Sequence, residues 1–292
     1  MSATPAPPRI FDRALQRGRL ARALAAGGPD FLGQRAAEDL LDRLSATKRD
    51  FARSLDLASP TPHFAQAVVA SGRPAPFRIG YSAGAGLSAL ADEEALPFAP
   101  ASFDLVVSGL ALQWVNDLPG VFAQVRRALA PDGLFIACLP GGASLTELRT
   151  AFAQAEEEIV GGASPRVSPF VDVRDLGSLL QRAGFALPVT DVDSFTLRYD
   201  SMFALCRELR AMGAANALTQ RARTPLRRSV LLRAAQIYAE RFSDKDGRVR
   251  ASFEILWLSG WTPHESQQKP LAPGSARMRL EDAVKAARKG EC

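Results

Sequence analysis

The run Phe103-Asp104-Leu105-Val106-Val107-Ser108 decides the fold, together with the segments downstream of it: Asn116, expected to cap a helix from Asp117 to Leu129, the turn Pro131-Asp132-Gly133 that ends that helix, and the strand Leu134-Phe135-Ile136-Ala137-Cys138. Both apolar runs are nearly continuous rather than alternating, as strands are when a parallel sheet buries them on both faces. Strand, helix and strand joined by short connections make a right-handed crossover, the unit of a doubly wound α/β sheet. Upstream the alternation continues. Arg53 to Leu57 predicts a strand, His63 to Ala70 a helix and Phe77 to Tyr81 another strand. Two helices come first: Ile10 to Leu24, stopped by Gly27-Gly28-Pro29, and Phe31 to Leu44, with apolar residues at Leu32, Ala36, Leu40, Leu41 and Leu44.

Beyond about residue 141 the alternation is lost. Residues 145–159, 173–183, 202–212 and 226–242 read as helices, 189–199 as a weakly alternating antiparallel strand, and 250–260 as a last strand leading into Trp261. The expected organisation is an N-terminal tail and helical cover over 1–44 and a Rossmann-like core over 45–141. A helical and strand-containing substrate or partner region occupies 142–280, and a charged tail 281–292.

With 292 residues, 47% hydrophobic and 23% charged, the composition is that of a globular chain with ample core. The net charge of +5 does not mark a nucleic-acid binder, because Arg far outnumbers Lys and is interleaved with acids along the chain. The densest basic cluster is Arg221, Arg223, Arg227, Arg228 and Arg233. Cys138, Cys206 and Cys292 are widely separated, a reduced pattern with neither a disulfide framework nor a zinc site. The longest apolar stretch, Phe103 to Val115, is too short for the roughly 20 residues of a spanning helix. Met1 to Phe11 is a Pro-rich tail without the apolar segment of a secretory signal. No transmembrane segment, no metal site and no nucleic-acid partner are expected.

Four motifs resemble the class I S-adenosylmethionine methyltransferases: Asp92-Glu93-Glu94-Ala95-Leu96-Pro97-Phe98, Ser102 to Ser108, Leu112-Gln113-Trp114-Val115 and Leu129-Ala130-Pro131-Asp132-Gly133. Further stretches are more specific: Ile10-Phe11-Asp12-Arg13, Leu145 to Arg149, Ser168-Pro169-Phe170 with Asp175-Leu176-Gly177, and Trp261 to Gln267 with Gly274-Ser275-Ala276. These resemble the family of mitochondrial complex I assembly factor 5 and its bacterial relatives, over roughly residues 10 to 280. The resemblance implies a Rossmann-like methyltransferase fold and action on an arginine of an iron–sulfur subunit of respiratory complex I, by hydroxylation. The alternative relative is the methyltransferase that caps malonyl carrier protein in biotin synthesis, which shares the first half but not the His264 motif. Placing the family's mature start at Ile10 leaves little upstream chain for a presequence, so the expectation is a bacterial cytoplasmic protein.

The resemblance implies S-adenosylmethionine as cofactor, and two of its three anchors depart from the family pattern. The first strand should end in a glycine-rich turn, but Ser54-Leu55-Asp56-Leu57-Ala58-Ser59-Pro60-Thr61-Pro62 has Ala58, Pro60 and Pro62 at the glycine positions. Each proline removes an N–H donor and fixes φ near about −65°, where glycine is free to take positive φ. Gly80 stands where the family carries the acid for the ribose hydroxyls. The third anchor survives as Asp92 followed by Glu93.

Three readings are open: a pseudoenzyme that holds a partner subunit, a catalyst with a remodelled cofactor loop, or a crevice for an unrelated small ligand. The cofactor-binding candidates are Asp56, Asp92, Glu93, Gln113 and Trp114, the last able to stack on adenine or a guanidinium. His264, beside Glu265, Ser266 and Gln267, is the candidate for positioning or catalysis at the target arginine. Glu147, Glu156, Glu157 and Glu158 are candidates for pairing an arginine-bearing segment, against the alternative of a solvated helix face. His63 is expected to be exposed.

Overall fold

The computed structural model describes residues 9–81 and 86–268. The Pro-rich start, the Gly274-Ser275-Ala276 motif, Cys292 and the charged tail over 281–292 lie outside the described residues. Helices α1 (Arg13–Ala25) and α2 (Phe31–Ser45) lead into β1 (Ser54–Leu57), α3 (His63–Ala70), β2 (Phe77–Gly80), β3 (Ala89–Leu90) and β4 (Phe103–Gly109). A short 3-10 turn (Leu112–Trp114) then precedes α4 (Leu118–Ala128) and β5 (Leu129–Pro140). The chain continues through α5 (Thr146–Val160), α6 (Val173–Arg182), β6 (Ala186–Tyr199), α7 (Met202–Ala211), α8 (Arg228–Phe242) and β7 (Val249–Trp261).

The seven strands form one sheet in the order β3-β2-β1-β4-β5-β7-β6. The pairs among β1 to β5 are parallel, and β7 runs antiparallel to both β5 and β6. The doubly wound α/β architecture expected from the central strands is thus the one observed. Residues beyond 141 do more than cover it, since β6 and β7 complete the same sheet.

Alternation along the buried strands explains the layering. Leu105 and Val107 of β4, with Ile136 and Cys138 of β5, pack on one face against Leu40 and Leu44 of α2 and Phe64 and Val68 of α3. Val106, Phe135 and Ala137 turn to the other face, against Val121, Phe122 and Val125 of α4 and Leu176 and Leu180 of α6. A third cluster joins α5, α7 and α8 to the far half of the antiparallel β6–β7 pair around Phe152, Leu205, Ile237 and Tyr238.

Two local expectations are corrected. Asn116 does not cap α4. Asp117 does, its carboxylate accepting from Gly120 N at 2.9 Å, while Asn116 accepts from Phe11 N at 2.8 Å and donates to Phe11 O at 3.2 Å. Pro131-Asp132-Gly133 does not separate helix from strand but loops out within β5, where the β4 ladder jumps from Phe103↔Leu129 to Leu105↔Leu134 and Asp132 takes φ 61°.

Strand order reverses between β1 and β4, so a crevice opens at their carboxyl ends, where such sheets bind ligands. Gly109 ends β4 there, and the Phe64 ring lies so close that an added Cβ would overlap it. Gly109→Ala should therefore destabilise by about 1–3 kcal/mol through overpacking. Phe64→Leu in the same chain should recover part of that loss, as measured by urea unfolding.

Candidate functional site

β1 ends at the crevice in a loop held from beneath. Arg78 of β2 is buried, donating from Nε to Asp56 Oδ2 at 2.8 Å. Its Nη2 donates to Thr61 O at 2.9 Å and to Ser59 O at 3.3 Å. Two carbonyls of the Ala58–Pro62 turn thus point into the protein. Ser59 Oγ accepts from Gly109 N at 2.9 Å and ties the turn to β4. Ala58 takes φ 59°, the left-handed region that favours glycine. Burial pushes the Asp56 carboxyl up, with hydrogen bonds from Ser59 and Arg78 opposing it. Asp56, a candidate cofactor residue, lies 1% exposed under the loop rather than on the crevice wall.

Asp92 and Glu93 are brought together, and α1 meets them. Arg13 donates to Asp92 at 2.6 Å and to Glu93 at 2.5 Å, and also pairs with Glu94. Arg17 reaches Asp92 at 3.1 Å and Glu93 at 3.2 Å, with its guanidinium 4.7 Å from the Tyr81 ring centre. Burial pushes the Asp92 carboxyl up, but hydrogen bonds from Arg13, the Glu94 N–H and Arg17 outweigh it and hold the group below its usual 3.8. At Gly80 the Leu87 side chain closes on the position of an added Cβ, at 3.1 Å.

Gln113 and Trp114 lie on the crevice wall. Gln113 Nε2 donates to Leu110 O at 2.7 Å, while its Oε1 is buried with no hydrogen-bond partner among the described residues. Trp114 meets Phe11 edge-on, with ring centres 5.5 Å apart.

The crevice encloses about 460 Å³ between α1, the strand ends, α5 and α7. Its walls are largely apolar, with Leu20, Phe64, Leu145, Leu148 and Phe152 among them. Glu254 of β7 also lines it, accepting from Ala143 N at 3.2 Å.

His264 lies elsewhere. β7 runs antiparallel to β5, so Trp261 pairs with Leu134 at the amino end of the parallel strands. His264, exposed and hydrogen-bonded to Ser266 at 2.8 Å, therefore sits at the edge of the sheet opposite the crevice. Gln267 of the same motif donates to Asp132 Oδ1 at 3.0 Å and to Thr262 O at 2.8 Å.

The α5 acids are largely committed within the fold. Glu147 accepts from Ser252 N at 3.1 Å and Oγ at 2.5 Å. Glu156 pairs with Arg166 at 2.5 Å and Glu158 with Arg233 at 2.6 Å, while Glu157 is exposed. His63 is shielded rather than exposed, meeting Asp30 at 2.6 Å.

The sequence reading missed Arg78, Arg13, Arg17 and Glu254. A signal existed for Arg78: an arginine inside an otherwise apolar four-residue strand, beside a strand carrying Asp56.

Fold and crevice together define a methyltransferase-type α/β protein, the class that implies S-adenosylmethionine. Residues 64–137 match the family model described as a methyltransferase domain. The YcgJ protein from Bacillus subtilis superposes with a TM-score of 0.51 at 14% identity, covering 78% of this chain and 99% of that one. The [4+2]-cyclase SpnF does so with a TM-score of 0.51 at 16% identity, covering 90% and 99%. The sequence matches reach further. The chain is 36% identical over 289 residues to arginine-hydroxylase NDUFAF5, mitochondrial, of Danio rerio, covering 94% of this chain and 90% of that protein. To the protein of the same name in Homo sapiens it is 39% identical over 297 residues, covering 97% and 86%. The malonyl-[acyl-carrier protein] O-methyltransferase of Xylella fastidiosa (strain M23) is 44% identical over 172 residues, covering 59% and 56%. The chain belongs to the NDUFAF5 family of methyltransferase-fold proteins.

Two outcomes test the electrostatics. Arg78→Ala leaves Asp56 buried without its cation and should cost about 3–5 kcal/mol in urea unfolding. Replacing both, Asp56→Leu with Arg78→Met, should cost much less. A carboxyl held below its unfolded value stabilises at neutral pH, and this contribution is lost as pH falls through the lowered value. For Asp92 the window lies below about 3.8. Arg13→Met with Arg17→Met should lower stability at pH 7 and flatten its loss across that window.

Proposed function

We propose that this protein acts on, or escorts, an arginine-bearing iron–sulfur subunit of respiratory complex I during assembly, in a bacterial cytoplasm. One observation carries this reading: similarity to arginine-hydroxylase NDUFAF5 extends over 94% of the chain, including both the strand ends and the region that closes over them. The alternative, O-methylation of a malonyl carrier protein, draws on a relative matched over 59% of the chain.

In this reading S-adenosylmethionine is not held in the family's way. Prolines at 60 and 62 withhold two N–H donors, and Arg78 draws the loop's carbonyls inward. Gly80 offers no ribose carboxylate, and Asp92 and Glu93 already accept from Arg13 and Arg17. Losing a two-bond ribose anchor, with such charge-assisted bonds worth about 1.5–3 kcal/mol each, weakens binding by orders of magnitude. What remains is a largely apolar crevice suited to a protein side chain.

Calorimetric titration of S-adenosylmethionine into the full chain should give no heat of binding at micromolar concentrations. Micromolar binding would overturn the cofactor part and favour the carrier-protein methyltransferase. For the partner, deleting the gene should lower complex I activity, and the tagged natural chain should restore it and retain the iron–sulfur subunit on purification. Intact complex I in the deletion strain would overturn the assembly reading.

A further inference from the structure

We propose that Glu254 is the receptor for a guanidinium entering the crevice, so that the partner's arginine is gripped by β7 at the carboxyl ends of the parallel strands. This rests on the reading of the protein as arginine-directed. Pro140 pairs with Ile255, so Glu254, one position earlier in antiparallel β7, falls beside Gly141. Gly141 N donates to Glu254 O at 2.9 Å. Ser144 Oγ donates to the same carbonyl at 3.0 Å and accepts from Glu254 N at 3.0 Å. The residue's backbone is therefore held on both sides.

Its carboxylate rests directly over Gly141, where any Cβ would overlap Oε2. The glycine creates that seat. Ala143 N, at 3.2 Å, gives one hydrogen bond, leaving most of the four or so lone-pair sites of a carboxylate for a ligand.

The charge pattern around the crevice singles this residue out. Asp30 and Arg166, which line the same cavity, are each already paired, Asp30 with His63 and Arg166 with Glu156. The exposed Arg210, in the last turn of α7, also lines the cavity. Among the described residues no Lys or Arg pairs with Glu254, in a chain carrying 36 of them. Gln113 lines the same cavity, and its Oε1 is buried with no hydrogen-bond partner among the described residues.

Acceptors set in apolar walls suit an arginine, whose stem is three methylenes and whose head has five donors and no acceptor. The planar fork meets a carboxylate through two parallel bonds, which a lysine ammonium cannot match.

The test uses the full chain and three acetylated, amidated pentapeptides, identical except for a central arginine, lysine or citrulline between leucine and phenylalanine. Citrulline keeps the shape and removes the charge. By calorimetry the arginine peptide should bind at least tenfold more tightly than either other peptide. Glu254→Gln, isosteric and checked for an unchanged unfolding midpoint, should remove that preference. Arginine binding undiminished in Glu254→Gln would overturn the assignment to Glu254 while leaving the arginine-directed reading standing. Failure of the natural chain to prefer arginine over citrulline would overturn both.

Discussion

A guanidinium buried beneath a loop organises this crevice. Arg78 meets Asp56 on the neighbouring strand and takes the carbonyls of Ser59 and Thr61, so strand, loop and crevice floor share one charged group. Burying such a pair is costly unless geometry and extra hydrogen bonds repay the lost hydration. The loop carbonyls provide those bonds here, and Pro60 and Pro62 cut the conformations the loop must give up on folding. The same bonds turn the carbonyls of Ser59 and Thr61 inward, toward Arg78.

The second constraint is α1. Its Arg13 and Arg17 bind the acids after β3, while Arg19 donates to the carbonyls of Ala215 and Asn216 beyond α7, and Asp12 pairs with Arg221. One helix thus joins the two halves of the chain across the strand ends. Its inner residues Gln16, Leu20 and Leu24 form a wall of the crevice. Asp92 and Glu93 anchor this cover.

The central sheet was legible because its signal is local. Leu105 to Val107 and Leu134 to Cys138 are buried on both faces, and continuous apolar runs reveal that without tertiary knowledge. The third anchor was legible as an acidic cluster but not in its pairing, because Arg13 lies 79 residues from Asp92. In an Arg-rich chain a helix of basic residues looks like compositional bias. Glu254 was hidden for a related reason: in an alternating strand a polar residue is assigned to solvent, and nothing local shows that β7 inserts beside Gly141. His264 stood out by rarity and by motif, but its place depends on strand direction. Antiparallel β7 carries that motif to the end of the sheet opposite the crevice.

The placement of β7 also governs when the protein exists at all. β5 ends at Pro140 and its partner strand begins at Val249, so more than a hundred residues must leave the ribosome before that edge can be covered. Until then β5 presents an open, apolar hydrogen-bonding edge, the kind of strand that templates aggregation. Closing a loop of this length is also entropically slow, since long-range pairing must precede its reward. Production of this chain is therefore most vulnerable while synthesis runs through α5 to α8, and a stop before residue 249 leaves a sheet without β7, with β6 cut off from it and no crevice wall at Glu254.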